Sequence, residues 1–334
     1  MIHHHVDEGP GIPPGSSSAA RRRIAALGAV IAVAAATLSF AGTPAGADLS
    51  PASDFGAAGS HAVTSTSTGQ HTIYHPTDGT DHPIILWGNG TGTTPVVYAP
   101  LLRHLASHGF IVAAANTTNA GSGSEMLAGI EAVRGNPTLE AAADFENIGA
   151  TGHSQGGGGA TRAGLDPRVD TVFPLEPAPT FSTGNLTGPA IFFAGQNDTI
   201  VQPTWVRREY QGVTQAPAAY AELAGATHFT AVGDVGGFRA ALTAWARWQL
   251  GGDEAAAALF AGSSPGLADD PAWSAYESNA ALQALDPGDN PADDPADDPG
   301  SDPAVDDPAP EAAGPQRQQA TAAVAVLADP DYTG

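Results

Sequence analysis

Residues 148–165 read IGATGHSQGGGGATRAGL. An apolar run of strand length, 148–151, enters a glycine cluster, and a helical run, 160–165, leaves it. Inside lies Gly152-His153-Ser154-Gln155-Gly156, a match to G-x-S-x-G. A strand-to-helix turn this tight lifts the serine hydroxyl clear of the sheet, and its glycines let neighbouring backbone pass without side-chain clashes. The following helix aims its positive end at Ser154, and the Gln155 N–H is placed to donate to a developing oxyanion. The competing reading is a glycine-rich phosphate cradle. A chain with no lysine and a net charge of −23 is poorly suited to one. Ser154 is the candidate nucleophile.

A serine hydroxyl needs a base, and the base needs an acid to orient it. In this architecture the order along the chain is Ser, then Asp or Glu, then His, each after a later strand. His228, in Gly225-Ala226-Thr227-His228-Phe229, is the only one of 11 histidines that follows Ser154, which makes it the base by elimination. Asp198 stands just past the apolar run 190–194 and is favoured as the acid over Asp170 and Glu176, which lie near an earlier strand end. His75, His82, His104 and His108 are read as surface or loop histidines. A second oxyanion donor is expected from Gly88-Asn89-Gly90-Thr91-Gly92, at either Gly90 or Thr91. The chemistry this set implies is acyl transfer: Ser154 attacks a carbonyl, His228 takes its proton, and water later releases the acyl group.

Elsewhere strands and helices alternate. Strand-type runs fall at 72–75, 84–87, 110–115, 148–151, 171–174, 190–194 and 219–223. Helical spacing joins Val96, Val97, Leu101, Leu102 and Leu105, then Met126, Leu127, Ile130 and Val133, and recurs over 160–165 and 238–250. The fold class is α/β: an α/β-hydrolase arrangement with a mostly parallel central sheet, helices on both faces, and no separate lid domain.

Composition narrows the function further. The 334 residues hold 12 basic side chains, all arginine, against 35 acidic ones. Such a surface repels phosphate backbones, so nucleic acid is excluded as a partner. With no cysteine there is no disulfide, thiolate metal site or cysteine nucleophile. Neither a cofactor nor a metal is implied. Residues 1–47 read as an export signal: Arg21-Arg22-Arg23, an uncharged run over 24–40, then Ala45-Gly46-Ala47 before Asp48. A secreted chain with no stable membrane anchor after cleavage is expected, as a monomer. Residues 48–262 form the catalytic domain. Residues 263–334 are read as an acidic, mostly disordered tail, with nine Asp between Asp286 and Pro308 and short helices over 271–285 and 321–327. Clustered carboxylates suit Ca²⁺, but recurrent proline and the lack of a glycine-turned ligand loop favour a solvated linker. Removing +1 for 1–47 and −14 for 263–334 from −23 leaves −10 on the domain itself.

The stretches TIYHPTD (72–78), LLRHLASHGFIVAAANT (101–117), TGHSQGGGGATRA (151–163), GQNDTIVQP (195–203) and ELAGATHF (222–229) resemble the bacterial cutinase-like polyester hydrolases. These belong to the α/β-hydrolase superfamily, near dienelactone hydrolases and platelet-activating-factor acetylhydrolases. The resemblance implies Ser154, Asp198 and His228 as a triad, secretion, and a shallow open cleft for ester or polyester chains. It also marks departures. Gln155 replaces the usual methionine, Gly90 an aromatic substrate clamp, and Ala178 a tryptophan wall, and the family's C-terminal disulfide is missing. Gly90 and Ala178 are thus the substrate-binding positions at which weaker grip on aromatic polyesters is expected. The rival readings are a small-ester or lipid esterase with a closed pocket, and a non-catalytic binding module whose acidic tail holds Ca²⁺.

Overall fold

In the run Ile84-Ile85-Leu86-Trp87, successive side chains enter different cores. Ile85 and Trp87 join one apolar cluster, and Ile84 and Leu86 another, all fully buried. Period-2 geometry sends neighbouring side chains to opposite faces, so a strand apolar at every position must be covered on both sides. The computed structural model describes residues 55–285 and shows that cover.

Nine strands form one sheet in the order β1-β2-β4-β3-β5-β6-β7-β8-β9. They are β1 (Val63–Ser67), β2 (His71–Pro76), β3 (His82–Gly88), β4 (Ile111–Ala115), β5 (Ala143–Gly152), β6 (Thr171–Val172), β7 (Ala190–Gly195), β8 (Ala218–Leu223) and β9 (Trp273–Ser278). From β4 to β8 every pairing is parallel, while β1, β2 and β9 add antiparallel edges. The mostly parallel sheet is as expected from the sequence. One face is covered by α1 (Ala99–Ser107) and α6 (Arg239–Gly251), through Leu101, Leu105, Leu242 and Trp245. The other is covered by α2 (Ser124–Arg134), α4 (Gln155–Ala163) and α5 (Pro203–Gly212), through Met126, Ile130, Ala160, Ala163, Val206 and Tyr210. Among the described residues no helix is long and apolar enough to cross a membrane.

Among the described residues, several elements escaped the sequence reading, four of which bear on the fold. β1, with sequence VTSTS, has no apolar alternation and is held by its ladder to β2. The helix α3 (Pro137–Ala142) is short and is started by Asn136, whose side chain accepts from the Thr138 and Leu139 N–H groups. α5 is largely polar and buries only Val206, Glu209 and Tyr210. β9 corrects the domain boundary expected at 262 and the helix expected over 271–285, since only 280–283 of that stretch is helical. Trp273 supplies the reason: its ring stands 5.9 Å from Phe193 and 6.2 Å from Phe238, closing the core beside β8. Asn279 then fastens the end, accepting from the Ala218 N–H at 3.0 Å and donating to the Ala216 carbonyl at 2.8 Å. The export signal at 1–47 and the tail beyond 285, with its Ca²⁺ reading, lie outside the described residues.

A chain ending at residue 262 is expected to expose the β8 edge and lose the Trp273 packing, worth about 3–5 kcal/mol. Its melting temperature should fall by roughly 10 °C or more relative to a chain ending at 285. Equal melting temperatures in a thermal scan would show that β9 is dispensable.

Candidate active site

Parallel strands place their carboxyl ends on one edge of the sheet, and the candidate residues leave from there. Ser154 follows β5 with φ +56° and ψ −117°, a conformation that L residues rarely adopt. Close backbone contact maintains it. The His153 N–H donates to Gly88 O at 3.1 Å, the Ser154 N–H to Leu175 O at 3.0 Å, and the Ala178 N–H to Ser154 O at 2.8 Å. Gly156 must lack a side chain, because a Cβ there would stand 2.1 Å from Gly88 O. Ser154 itself is half-buried.

Asp198 and His228 come from the loops after β7 and β8, which are tied by the Asn197 N–H to Ala226 O at 2.7 Å. Asp198 is buried, and its Oδ1 accepts from the N–H groups of Ile200 (2.7 Å) and Val201 (2.9 Å). That leaves Oδ2 for His228 Nδ1 at 2.7 Å, and His228 Nε2 reaches Ser154 Oγ at 2.9 Å. The three residues chosen from the sequence are therefore brought together, while Asp170 is not: its carboxylate accepts from the N–H of Ile148, inside β5.

Around the proposed oxyanion position the outcome is mixed. The Gln155 N–H opens α4 with no backbone acceptor among the described residues. Gly90 is buried, and its N–H already donates to Tyr98 Oη at 3.3 Å, whereas Thr91 is exposed. A Cβ on Gly90 would stand 2.8 Å from Tyr98 Oη and 3.0 Å from His153 Nδ1. Tyr98 and His153, bonded at 2.8 Å, thus fill the space next to Gly90 that a side chain would need. Ala178 is half-buried and is bound to Ser154 through its backbone. On the same loop Phe181 is 75% exposed, held there by the Glu209 carboxylate, which accepts from the Thr180 and Phe181 N–H groups at 2.9 Å each. The sequence pattern did not signal this anchor, because Glu209 is one polar residue in a polar helix. The histidines read as surface residues are more enclosed than expected. His82, which is buried, bonds the carbonyls of Gly109 and Asp78, and His104 faces Phe55 O and Thr243.

Behind the relay lies a second buried group. Glu176 is fully buried, with Oε2 3.5 Å from His153 Nε2 and 3.6 Å from His228 Nδ1. Burial, and then the Asp198 charge, push its carboxyl up from 4.5 to about 8, so it holds its proton near neutrality. Burial drives His153 down to about 4 and keeps it neutral. His153, Glu176 and His228 offer ligand atoms within 4.8 Å of one another. An ion held by all three would have to take His228 Nδ1 from Asp198, so the set does not fit a resident metal.

A strand–elbow–helix with a buried carboxylate and a histidine after two later strands, here β7 and β8, defines the α/β-hydrolase class. The chain belongs to the PET hydrolase-like family, whose model matches residues 32–271. It is 28% identical over 256 residues to a bis(hydroxyethyl) terephthalate hydrolase of Streptomyces coelicolor, covering 68% of this chain and 82% of that protein. It is 29% identical to cutinase 1 of Thermobifida cellulosilytica (50% of this chain, 68% of that protein). It is 30% identical to cutinase est2 of Thermobifida alba (48% and 57%).

The proton on Glu176 has a consequence for stability. A carboxyl raised from 4.5 to about 8 on folding stabilises fully below pH 4.5, and that contribution is lost as pH rises to 8. His153 acts oppositely: its contribution is complete above 6.5 and lost as pH falls to about 4. Glu176→Gln, which keeps the shape without the ionisable proton, should therefore melt at least about 3 °C above wild type at pH 8, with little gap at pH 5. A constant gap across a pH-resolved thermal scan would contradict this.

Proposed function

We propose that the chain is a secreted serine carboxylic ester hydrolase, cutinase-like, acting on aliphatic or short-acyl esters and on polyester surfaces. What carries the reading is the unbroken path from the Asp198 carboxylate through His228 to Ser154 Oγ, at 2.7 and 2.9 Å. Ser154 attacks the ester carbonyl while His228 Nε2 takes its proton, and Asp198 stabilises the imidazolium that forms. The negative carbonyl oxygen then rests on the Gln155 N–H and on a donor from the Gly90–Thr91 turn; one such donor is typically worth about 100–1,000-fold in rate. His228 next protonates the leaving alkoxide. A water deprotonated by the same imidazole releases the acid and restores Ser154.

An open cleft is favoured over a closed pocket by the exposed apolar side chains leaving the same sheet edge. Val96, Phe181, Ile200 and Phe229 follow the ends of β3, β6, β7 and β8, each at least half exposed. A polymer chain can lie across such a rim, and a small buried ligand would not need it. Terephthalate-type esters enter as a secondary substrate class, suggested by the name of the Streptomyces relative. Secretion rests on the Arg21–Ala47 pattern.

Ser154→Ala should lower kcat on p-nitrophenyl butyrate by about 10⁴-fold or more without altering the melting temperature. Retained activity would remove the enzyme assignment. Phe181→Ala should slow hydrolysis of a polyester film about 3–10-fold while leaving the soluble butyrate ester nearly unaffected. Equal losses on both substrates would count against the rim.

A further inference from the structure

Glu176 meets two structural costs at one position. Neither carboxyl oxygen has a hydrogen-bond partner, although the side chain is completely enclosed. Its backbone also holds φ at +43°, which non-glycine residues rarely adopt. The surroundings are shaped to keep the carboxyl where it is. The Glu176 N–H donates to Phe193 O at 2.8 Å, and Gly195, at the end of β7, leaves the space: a Cβ there would stand 2.4 Å from Glu176 Oε1. Gly195 lies three residues before Asp198, so the two carboxyl groups share one side of His228.

We propose that Glu176 is a second positioning acid for His228, standing behind Asp198 and able to hold the Nδ1–H when Asp198 is removed. The proposal rests on the hydrolase reading and adds a residue to it. Its Oε2 is 3.6 Å from Nδ1, beyond hydrogen-bond range but within reach of a side-chain adjustment of about 1 Å. The titratable groups facing the carboxyl are His153 from the end of β5, Asp198 from the loop after β7 and His228 from the loop after β8, with the Tyr98 hydroxyl bonded to the far side of His153. His153 is neutral, so the one fixed negative charge opposing Glu176 is Asp198. Taking that charge away eases ionisation of Glu176 in the same event that vacates Nδ1. Glu176 then gives its proton to solvent, and the carboxylate accepts the Nδ1–H bond. No other bond is made or broken.

The test is a double-mutant cycle on p-nitrophenyl butyrate, using purified full chain, with Ser154→Ala and His228→Ala as floors. Glu176→Gln alone should lower kcat about two- to five-fold. In an Asp198→Ala background the same change should cost at least ten times more and bring activity to the floor. The acid limb of the kcat/KM profile should also move to lower pH when Glu176→Gln is added to Asp198→Ala, because the imidazolium loses its last negative neighbour. A merely structural role would not shift that limb. If Asp198→Ala does not fold, Asp198→Asn serves as the background: its amide oxygen keeps the Ile200 and Val201 bonds, and its NH₂ then faces Nδ1 and cannot accept from it. An equal factor for Glu176→Gln in both backgrounds, with an unmoved acid limb, overturns the second acid while leaving the relay intact. Activity in Ser154→Ala would overturn the hydrolase reading itself.

Discussion

The site depends on how closely two stretches of backbone approach one another. Gly156, in the first turn of α4, presses against Gly88 at the end of β3 with no room for a side chain between them. Strands β3 and β5 are parallel neighbours, paired from His82 with Ala143 to Gly88 with Gly152, so their ends arrive side by side. The helix can start only by passing over the end of β3, and that crossing forces Ser154 into its positive-φ turn. A local steric constraint thus becomes a reactive geometry: the hydroxyl is raised because the backbone beneath it has nowhere else to go.

Electrostatics around the hydroxyl follow from burial. Two carboxyl groups face His228, but their surroundings differ. Asp198 receives two backbone N–H bonds and can carry its charge, whereas Glu176 receives none and retains its proton. Environments that separate two nearby acids in this way give them different roles, one as a charge and one as a neutral neighbour. The same enclosure keeps His153 neutral, so its bond to Tyr98 supports the Gly90 loop without placing a cation beside His228.

Much of this was legible in the residue order. The apolar runs at β3, β4 and β7 read as strands from their residues alone, and all but one of the positions in these strands are buried. The elbow was legible because few other structures need four consecutive glycines after a strand. β9 was not: WSAYES has one buried position and draws its stability from Phe193 and Phe238, both distant in the chain. The packing around Gly90 was hidden for a related reason. A Cβ there would meet Tyr98 and His153, and His153 arrives from a distant part of the chain.

The sequence by itself determined the parallel α/β sheet and the serine elbow, and it singled out His228 as the candidate base. Each rests on local periodicity, local turn chemistry or a histidine with no competitor. Only the tertiary structure shows that the Asp198 carboxylate, already favoured in the sequence, is the one bonded to His228, how far the sheet extends, and where a second carboxyl is enclosed. Asp198 and Glu176 both follow strand ends and carry the same functional group. What separates them is two backbone N–H bonds in one case and a sealed slot beside Gly195 in the other. Such partners come from chain segments remote in sequence, and no local pattern records them.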